Sequence, residues 1–512
     1  MAQPWKLLVY LAGDNTLYSD AQVSLHEIVA STFGGNVETI VQVDGPSAQL
    51  STRYRCAQGT KEVIWEAPDG YTTDRSVRLT QFLKASVMAP TEPKRVCLVL
   101  WGHGAGLDHV YFYDNPSQPS APGPASAATP RAQAAPAAST AQASPIHFTA
   151  HEVLNSGDAN RYVSDVSLAR ILDEIAGSIG RKIDLVGFDA CMMAMAEVMY
   201  EMRNSTSVVV ASDEEVPAGS WPYAAILGDL ARCSGMDAST LSSVIVSRYL
   251  EAYSRQGQTE RVSLSAFDLN GCGSLAVEIT NLVKALTPCV ENGVMRRKIL
   301  RARDSSRTPD EPTYIDLGVF CRELTESFDK SHPAYASAQR VLQALVAYPY
   351  LTYHRDVDQG DAFDACGAAI YFPEKLAPQA QDLQEYAAAN NLGVDNAVPN
   401  GPLVAGKKFP PAGDKFPPAG DKFPPAGDKF PPAGDKFPAA SGKFPPAGDK
   451  FPPAGDKFPP AGDKFPPAGD KFSGNGPQIV GYEILWNRYI ELEFNHVTGW
   501  ADLIEKVIAA GY

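Results

Sequence analysis

Residues 182–193 read Lys-Ile-Asp-Leu-Val-Gly-Phe-Asp-Ala-Cys-Met-Met. The apolar run has the length and β-branched content of a buried strand, and it ends at Gly-Phe-Asp-Ala. Cys191 follows, together with methionines at helical spacing, which indicates a strand-to-helix corner that carries a thiol. Ligands bind at the carboxyl ends of strands in α/β sheets, and a helix N-terminus favours a thiolate, so we predict Cys191 as a nucleophile. A cysteine beside methionines is also a common buried apolar residue, and this stretch alone does not decide between the two.

Strand-like and helix-like segments alternate around this stretch, which is the pattern of an α/β fold with a mostly parallel sheet flanked by helices. The predicted strands of the first part are residues 6–11, 37–43, 95–101, 183–188 and 207–211. The predicted helices there are residues 20–31, 74–86, 167–175 and 193–202. Helices at 238–254, 274–286 and 338–346, with strands at 262–267 and 368–372, indicate an additional C-terminal α/β portion packed on the first.

Composition sets the broad class of the protein. The 512 residues are 44% hydrophobic and 20% charged, as in ordinary soluble proteins, and no apolar stretch is long enough to span a membrane. Eight cysteines lie singly without C-x-x-C spacing, so disulfides and zinc sites are only weakly indicated and no cofactor is predicted. The net charge of −15 argues against nucleic acid as a partner and favours a basic substrate. Since the N-terminal residues run directly into a strand pattern without a signal peptide, we expect a cytoplasmic location, although export stays open.

Two segments of low complexity interrupt the pattern. Residues 115–145 are almost entirely Ser, Ala, Pro, Gln, Thr and Gly, a composition that predicts a disordered loop within the first domain. Residues 409–471 repeat Phe-Pro-Pro-Ala-Gly-Asp-Lys with a period of seven, and two prolines and a glycine per unit exclude helix and sheet. We expect this second disordered insert to be an extended spacer, with a binding role as the alternative.

The chain regains structure-forming patterns after the repeat. Residues 489–494 alternate like a strand, and residues 500–510 have helical spacing. A tail of this size cannot fold alone, so we expect it to return to the main body. The predicted division is a catalytic core over residues 1–235, an α/β portion over 236–400, the repeat insert over 401–475 and the returning tail over 476–512.

A glycine-flanked histidine follows the third predicted strand, where the chain reads Trp101-Gly-His103-Gly104-Ala-Gly106. A histidine between glycines at the end of a buried strand is accessible, although glycines also mark purely structural turns. Neighbouring parallel strands would place His103 and Cys191 at the same edge of the sheet, as a thiol and its base require. His109 is a weaker candidate for the base, and Cys366, in a second Phe-Asp-Ala-Cys, precedes a strand and is interpreted as structural.

These strand ends resemble the clostripain family of cysteine peptidases, within the caspase and legumain superfamily. The similarity extends beyond the histidine and the cysteine, and its landmarks occur in family order outside the two low-complexity segments. They are Tyr10-Leu-Ala-Gly-Asp-Asn, Gln42-Val-Asp, Trp101-Gly-His-Gly, Gly187-Phe-Asp-Ala-Cys-Met-Met, Ala211-Ser-Asp-Glu-Glu, Trp221-Pro-Tyr, Ile370-Tyr-Phe-Pro and Thr498-Gly-Trp. The resemblance implies a caspase-like fold and peptidase activity on protein or peptide substrates.

The resemblance also implies a role for each matching position. Cys191 would be the nucleophile, His103 the base, and the Gly104 and Cys191 N–H groups the oxyanion hole. Asp189 would form the floor of a pocket that selects Arg or Lys, and it shares a strand face with Cys191 two residues later. A helix N-cap or a solvated acid is the alternative for Asp189. Trp221 is a candidate wall of a neighbouring subsite or a core residue. The calcium requirement and the oligomeric state stay open.

Family members are commonly activated by self-cleavage between the histidine and cysteine segments. Arg131 is the isolated basic residue of the loop at 115–145 and is therefore a candidate autocleavage site. The ten Lys-Phe bonds between Lys408 and Phe472 lie in the exposed repeat, so a lysine-accepting peptidase should cut them unless it prefers Arg or the prolines obstruct it. The competing interpretation is a catalytically weak or inactive scaffold that uses its proline-rich repeats. An Asn- or Asp-directed relative is disfavoured by the acidic Asp189.

Overall fold

The computed structural model describes residues 5–15, 17–32, 37–45, 51–72, 74–87, 94–104, 106–107, 163–217, 219–255, 262–308, 313–346, 351–357, 365–374, 376, 486 and 489–511. All of them belong to one unit, made of Met1–Val398 and Lys471–Tyr512. Residues 115–145 with Arg131, His109, and the second unit at Pro399–Asp470 lie outside the described residues. The predictions made for those segments stay predictions.

A sheet of nine strands organises the described residues. In chain order its strands are β1 (Trp5–Ala12), β2 (Val37–Asp44), β3 (Thr52–Ala57), β4 (Thr60–Glu66), β5 (Arg95–Trp101), β6 (Ile183–Asp189), β7 (Thr206–Ala211), β8 (Val262–Asp268) and β10 (Leu351–Val357). Their order across the sheet is β10-β8-β7-β6-β5-β1-β2-β3-β4. The five central strands, β7 to β2, run parallel, and the outer strands are antiparallel. A second, two-stranded antiparallel sheet joins β9 (Tyr314–Asp316) to β11 (Ala369–Tyr371).

Twelve α-helices connect or cover these strands within the described ranges. They are α1 (Tyr18–Ala30), α2 (Arg75–Val87), α3 (Asp165–Ile179), α4 (Ala196–Met202), α5 (Tyr223–Arg232), α6 (Ala238–Arg255), α7 (Cys272–Leu286), α8 (Gly293–Ser305), α9 (Leu317–Ser327), α10 (Pro333–Val346), α11 (Glu493–Thr498) and α12 (Trp500–Ala509). In the same ranges, no helix combines the length and the apolar character that crossing a bilayer requires.

The two faces of the sheet are buried in separate hydrophobic cores. Along β1, Leu7, Val9 and Leu11 enter one core, whereas Leu8, Tyr10 and Ala12 enter the other. Successive side chains of a strand point to opposite faces, so a strand that is apolar at every position must be covered on both sides. The predicted α/β class, with its mostly parallel centre flanked by helices, is confirmed.

The strand predicted over residues 489–494 is wrong, because this segment turns into helix α11. A strand would bury Ile490, Leu492 and Phe494 together, but Ile490 is 39% exposed, and the buried residues are Tyr489, Leu492, Phe494, Asn495 and Thr498. That longer spacing is helical, and a six-residue window was too short to distinguish the two periods. Trp500, at the start of α12, is fully buried in one of the two hydrophobic cores of the described residues. The division that assigns residues 476–512 to a returning tail stays a prediction.

The sheet continues across the proposed boundary at residue 235, since β8 pairs with β7. The division of the chain into a core and a C-terminal α/β portion remains a proposal.

Candidate active site

The histidine and cysteine segments extend from the carboxyl ends of two neighbouring parallel strands. Trp101 at the end of β5 is paired with Asp189 at the end of β6, and the Gly102 N–H donates to the Asp189 carbonyl at 3.3 Å. Two residues further along, Gly104 lies directly against the backbone of Cys191. A Cβ at Gly104 would be 2.9 Å from the Cys191 nitrogen and closer still to its carbonyl oxygen, so only glycine fits this approach. The structure therefore brings the two predicted segments into contact.

The Cys191 sulfur contacts the backbone of Val216, in the segment that follows β7. The Val216 N–H donates a hydrogen bond to Sγ at 3.3 Å, and the Val216 carbonyl lies 3.9 Å from the same sulfur. An N–H donor stabilises a thiolate more than a thiol, because hydrogen bonds to a charged acceptor are stronger. Sequence reasoning missed Val216, since no side-chain pattern reports a backbone donor.

The connection after Cys191 differs from the prediction. The helix predicted over residues 193–202 begins at Ala196, so Cys191 does not lie at its N-terminus. Instead, Met192 and Ala194 donate to the Glu214 and Ser212 carbonyls at 3.0 and 2.9 Å, and these bonds tie the loop after Cys191 to the segment that follows β7. Met192 has φ +57°, a left-handed conformation that is uncommon for a non-glycine residue. The helix-dipole argument for a thiolate therefore fails, and the donor is a peptide of the neighbouring segment.

Asp189 is almost completely buried, with 3% of its surface exposed. Its Oδ2 accepts hydrogen bonds from the Ser220 hydroxyl, from the Trp221 N–H at 3.2 Å and from the Tyr223 hydroxyl at 2.8 Å. Its Oδ1 is buried and finds no hydrogen-bond partner among the described residues. Burial raises the pKa of Asp189 to about 6 against the lowering effect of the three donors. Since Met195 is the N-cap of α4, Asp189 is neither a helix cap nor a solvated acid.

Two further buried polar atoms belong to Trp221 and Tyr249, whose side chains lie in one hydrophobic core on the same face of the sheet. Trp221 is 1% exposed and its ring lies against Gly187 on β6, while its Nε1 has no partner in the described part of the chain. The hydroxyl of Tyr249 on α6 is likewise buried and unpartnered there. Burial raises the pKa of Tyr249 well above its usual value, and the charges of Asp189 and Cys191 add to the effect. The subsite role suggested for Trp221 stays a prediction.

Most of the other cysteines are poorly suited to nucleophilic chemistry. Cys56, Cys97, Cys272, Cys289, Cys321 and Cys366 are all buried. Burial raises the thiol pKa of Cys56 to about 11 and that of Cys272 to about 12, which leaves little thiolate near neutral pH. Cys366 donates its backbone N–H to the Asp316 carboxylate at 2.6 Å and lies beside Gly318, as a structural residue would. Cys191 is half-buried and Cys233 is exposed, and of these two only Cys191 lies against the His103-Gly104 segment.

Within the ranges that the structure describes, no group of three or more His, Cys, Asp or Glu side chains could hold a metal ion. No role for calcium is assigned from these residues.

Comparison with known proteins gives a family match. The model of the clostripain family matches residues 155–394, a range that contains Asp189 and Cys191 and begins after His103. No curated protein matches the chain.

Several solved structures resemble the fold at low sequence identity. A secreted C11 cysteine protease from Bacteroides thetaiotaomicron, in complex with an irreversible peptide inhibitor, is 17% identical, with a TM-score of 0.49 over 75% of this chain and 96% of that chain. An inactive zymogen C11 protease from Parabacteroides distasonis is 17% identical, with a TM-score of 0.49 over 76% of this chain and 96% of that one. A secreted C11 cysteine protease from Bacteroides thetaiotaomicron called iotapain is 16% identical, with a TM-score of 0.49 over 72% and 94%.

The cytoplasmic location expected from the sequence is contradicted by this comparison. Two of these structures are described as secreted proteases, and the prediction is withdrawn. It rested on the absence of a signal-peptide pattern, which is weak evidence for where a protein acts.

The family match includes the strand that delivers Cys191, and the structure places the Gly-His-Gly segment against that cysteine. This chain is therefore similar to the clostripain family over residues 155–394 and is a clostripain-like cysteine peptidase, a hydrolase that acts on the peptide bonds of proteins or peptides.

Proposed function

We propose that this peptidase is an endopeptidase that cleaves after Arg, and less readily after Lys, with Cys191 and His103 as its catalytic dyad. The observation that carries the proposal is the contact between Gly104 and the Cys191 backbone, which fixes the histidine segment beside the thiol. The base of this proposal, His103, is adjacent in sequence to Gly104 and so belongs to the segment that contacts the nucleophile.

The chemistry follows from these positions. His103 takes the thiol proton as the Cys191 sulfur attacks the carbonyl carbon of the substrate, and the carbonyl π electrons move to the oxygen. The N–H groups of Gly104 and Cys191 donate to that oxyanion. The intermediate collapses, His103 gives the proton to the leaving amine, and the C–N bond breaks to leave a thioester. A water that His103 deprotonates then attacks the thioester, and the acid product and the thiol are released.

Preference for a basic residue is supported by the unpartnered oxygen of Asp189. A buried acceptor without a donor is costly, and a guanidinium or ammonium group would supply one in a charge-assisted bond. The positive charge would also hold the carboxylate ionised, against the burial that now raises its pKa. Arg is favoured over Lys because its planar guanidinium matches a carboxylate in geometry.

The proposal is tested with fluorogenic peptides that end in Arg, Lys, Asn or Asp before the reporter group. Wild type should release the reporter after Arg fastest and after Lys more slowly, and Cys191→Ala should release none. Equal rates in wild type and Cys191→Ala for all four peptides would defeat the proposal and favour the inactive scaffold. Faster cleavage after Asn or Asp would overturn the assigned specificity.

We further propose that the enzyme processes itself after Arg131, in the segment between His103 and Cys191. Support comes from the sequence, where Arg131 is the isolated basic residue among small and polar residues. Mass spectrometry of purified wild type should find a new N-terminus at Ala132, which Cys191→Ala and Arg131→Gln should both lack. An intact segment in wild type would contradict this step and leave the dyad proposal standing.

A further inference from the structure

Non-covalent contacts hold the C-terminal residues against the body of the enzyme. We propose that the C-terminal tail, residues 486 and 489–511, is a separable subunit of the active enzyme. It stays bound when the chain between body and tail is cut, and it holds the loop that carries Cys191. The part of this proposal that concerns activity rests on the proposed function, whereas the part that concerns binding does not.

The first contact of the tail is with α4, the helix that follows the nucleophile loop. The Tyr489 hydroxyl donates to Glu197 Oε1 at 3.0 Å, and the Phe494 N–H donates to Glu201 Oε1 at 3.1 Å. The Phe494 ring lies 5.8 Å from the Tyr200 ring in an edge contact. Positions three and four apart share one face of a helix, so the tail covers a single face of α4.

The second contact is a tryptophan anchor at the start of α12. Trp500 is fully buried and donates its Nε1–H to the Tyr371 carbonyl on β11 at 2.9 Å. Its ring meets those of Phe320 and Phe372 edge to face, at centroid distances of 6.0 and 5.6 Å. Buried aromatic anchors with a satisfied polar handle carry much of the binding energy in protein interfaces.

Hydrogen bonds connect both contacts of the tail to the loop that carries Cys191. Tyr371 donates its backbone N–H to Glu197 Oε1 at 3.0 Å, so one buried carboxylate oxygen joins α4, β11 and the tail. Ala369, at the other end of β11, donates its backbone N–H to the carbonyl of Ala194, three residues after Cys191, at 2.9 Å. Removal of the tail would therefore expose Glu197 and loosen β11, the strand whose Ala369 is bonded to the nucleophile loop at Ala194.

The tail also buries enough apolar surface to bind without a covalent link. Leu503, Ile504 and Val507 of α12 are fully buried, and Phe494 and Tyr489 are 1% and 2% exposed. The polar contacts continue to the end of the chain, where Arg296 donates to the Gly511 carbonyl at 2.6 Å. A segment with a buried anchor, an apolar helix face and paired polar groups has the composition of a stable interface.

The association test uses the full-length Cys191→Ala chain with one repeat unit replaced by the recognition sequence of a site-specific endopeptidase. After complete cutting, the tail fragment should co-elute with the body in size-exclusion chromatography and separate only in denaturant. A tail that elutes alone under native conditions would overturn the proposal. In the cut chain, Trp500→Ala should release the tail, whereas the matched change Val497→Ala, at a side chain 44% exposed, should not.

The activity test repeats the cut in the chain that retains Cys191. Hydrolysis of an Arg-ended peptide should stay within about twofold of the uncut enzyme, because the bound tail keeps its contacts. The cut Trp500→Ala enzyme should lose activity as its tail is washed away. Full activity after complete loss of the tail would overturn the coupling to the nucleophile loop. Since binding is measured separately with Cys191→Ala, a failed specificity proposal cannot be mistaken for a failed interface.

Discussion

At the residue scale, the two oxygens of the Asp189 carboxylate differ in their contacts and would serve two tasks under the proposed function, one structural and one in binding substrate. One oxygen accepts three hydrogen bonds that hold the segment at Ser220–Tyr223 to the end of β6, while the other oxygen has no partner among the described residues. The hydrogen bonds that Oδ2 accepts are a structural role, whereas a bond from a substrate to Oδ1 would be a binding role. The two tasks can be separated by a change that keeps the shape and removes the charge.

Asp189→Asn should therefore lower kcat/KM for Arg-ended peptides by about 100-fold or more, because a neutral amide cannot form the charge-assisted bond. Alkylation of Cys191 by iodoacetamide should continue at a rate close to that of wild type, which reports that the strand end is intact. Unchanged cleavage after Arg would show that the carboxylate is structural. Loss of alkylation together with loss of activity would also show that the carboxylate has a structural role.

Val216 is the residue whose contribution depends on its backbone alone. Val216→Pro removes the N–H that donates to Cys191 Sγ at 3.3 Å, so the thiol pKa should rise. The pH dependence of iodoacetamide alkylation measures it, since only the thiolate reacts. Val216→Ala keeps the N–H and is the matched control. If alkylation has the same pH midpoint in the proline and alanine variants, the Val216 N–H does not stabilise the thiolate.

At the scale of elements, the site depends on how closely the turn after β5 approaches the turn after β6. Gly104→Ala should lower kcat by about 100-fold, because a Cβ would overlap the Cys191 backbone and displace the proposed oxyanion donors. Gly177→Ala is the control, since a Cβ there meets nothing within 4 Å on α3. Peptide hydrolysis and thermal unfolding should be measured for both variants. An active Gly104→Ala enzyme would contradict the assigned geometry.

The parts of the fold that follow from local pattern were predictable from sequence. β5 and β6 each contain a long apolar run, and Gly102 follows β5, so these two strands and the residues at their ends were found with small errors in their limits. The loop after Cys191 was not, because its path depends on hydrogen bonds to the carbonyls of Ser212 and Glu214, which lie far along the chain. For the same reason, the donors to Asp189 and to Cys191 Sγ could not be read from the sequence.

At the scale of the whole molecule, several carboxyl groups are buried in the body. Burial raises the pKa of Asp14 and Asp189 to about 6, and that of Glu197 and Asp316 to about 7. Each therefore binds its proton more tightly in the folded chain than in the unfolded one. The stability that the proton contributes is fully present below the unfolded pKa and is lost as the pH rises through the folded pKa.

The free energy of unfolding of Cys191→Ala should consequently be larger near pH 5 than near pH 7.5, with a slope of up to about 1.4 kcal/mol per pH unit for each group. Guanidinium titrations at the two pH values measure this difference. Glu197→Gln is neutral at both values, so it should narrow the difference. Stability that is equal at both pH values, or greater at pH 7.5, would contradict the protonation states inferred for these carboxyls.

The central claim is that one of eight thiols, Cys191, is the nucleophile of a site that accepts a basic residue. An irreversible peptidyl chloromethyl ketone ending in arginine, followed by mass spectrometry of the digested protein, tests it most directly. We expect a single adduct on Cys191, formed far more slowly in His103→Ala and in Asp189→Asn. An adduct on the exposed Cys233, or a rate on Cys191 that neither variant changes, would contradict the account.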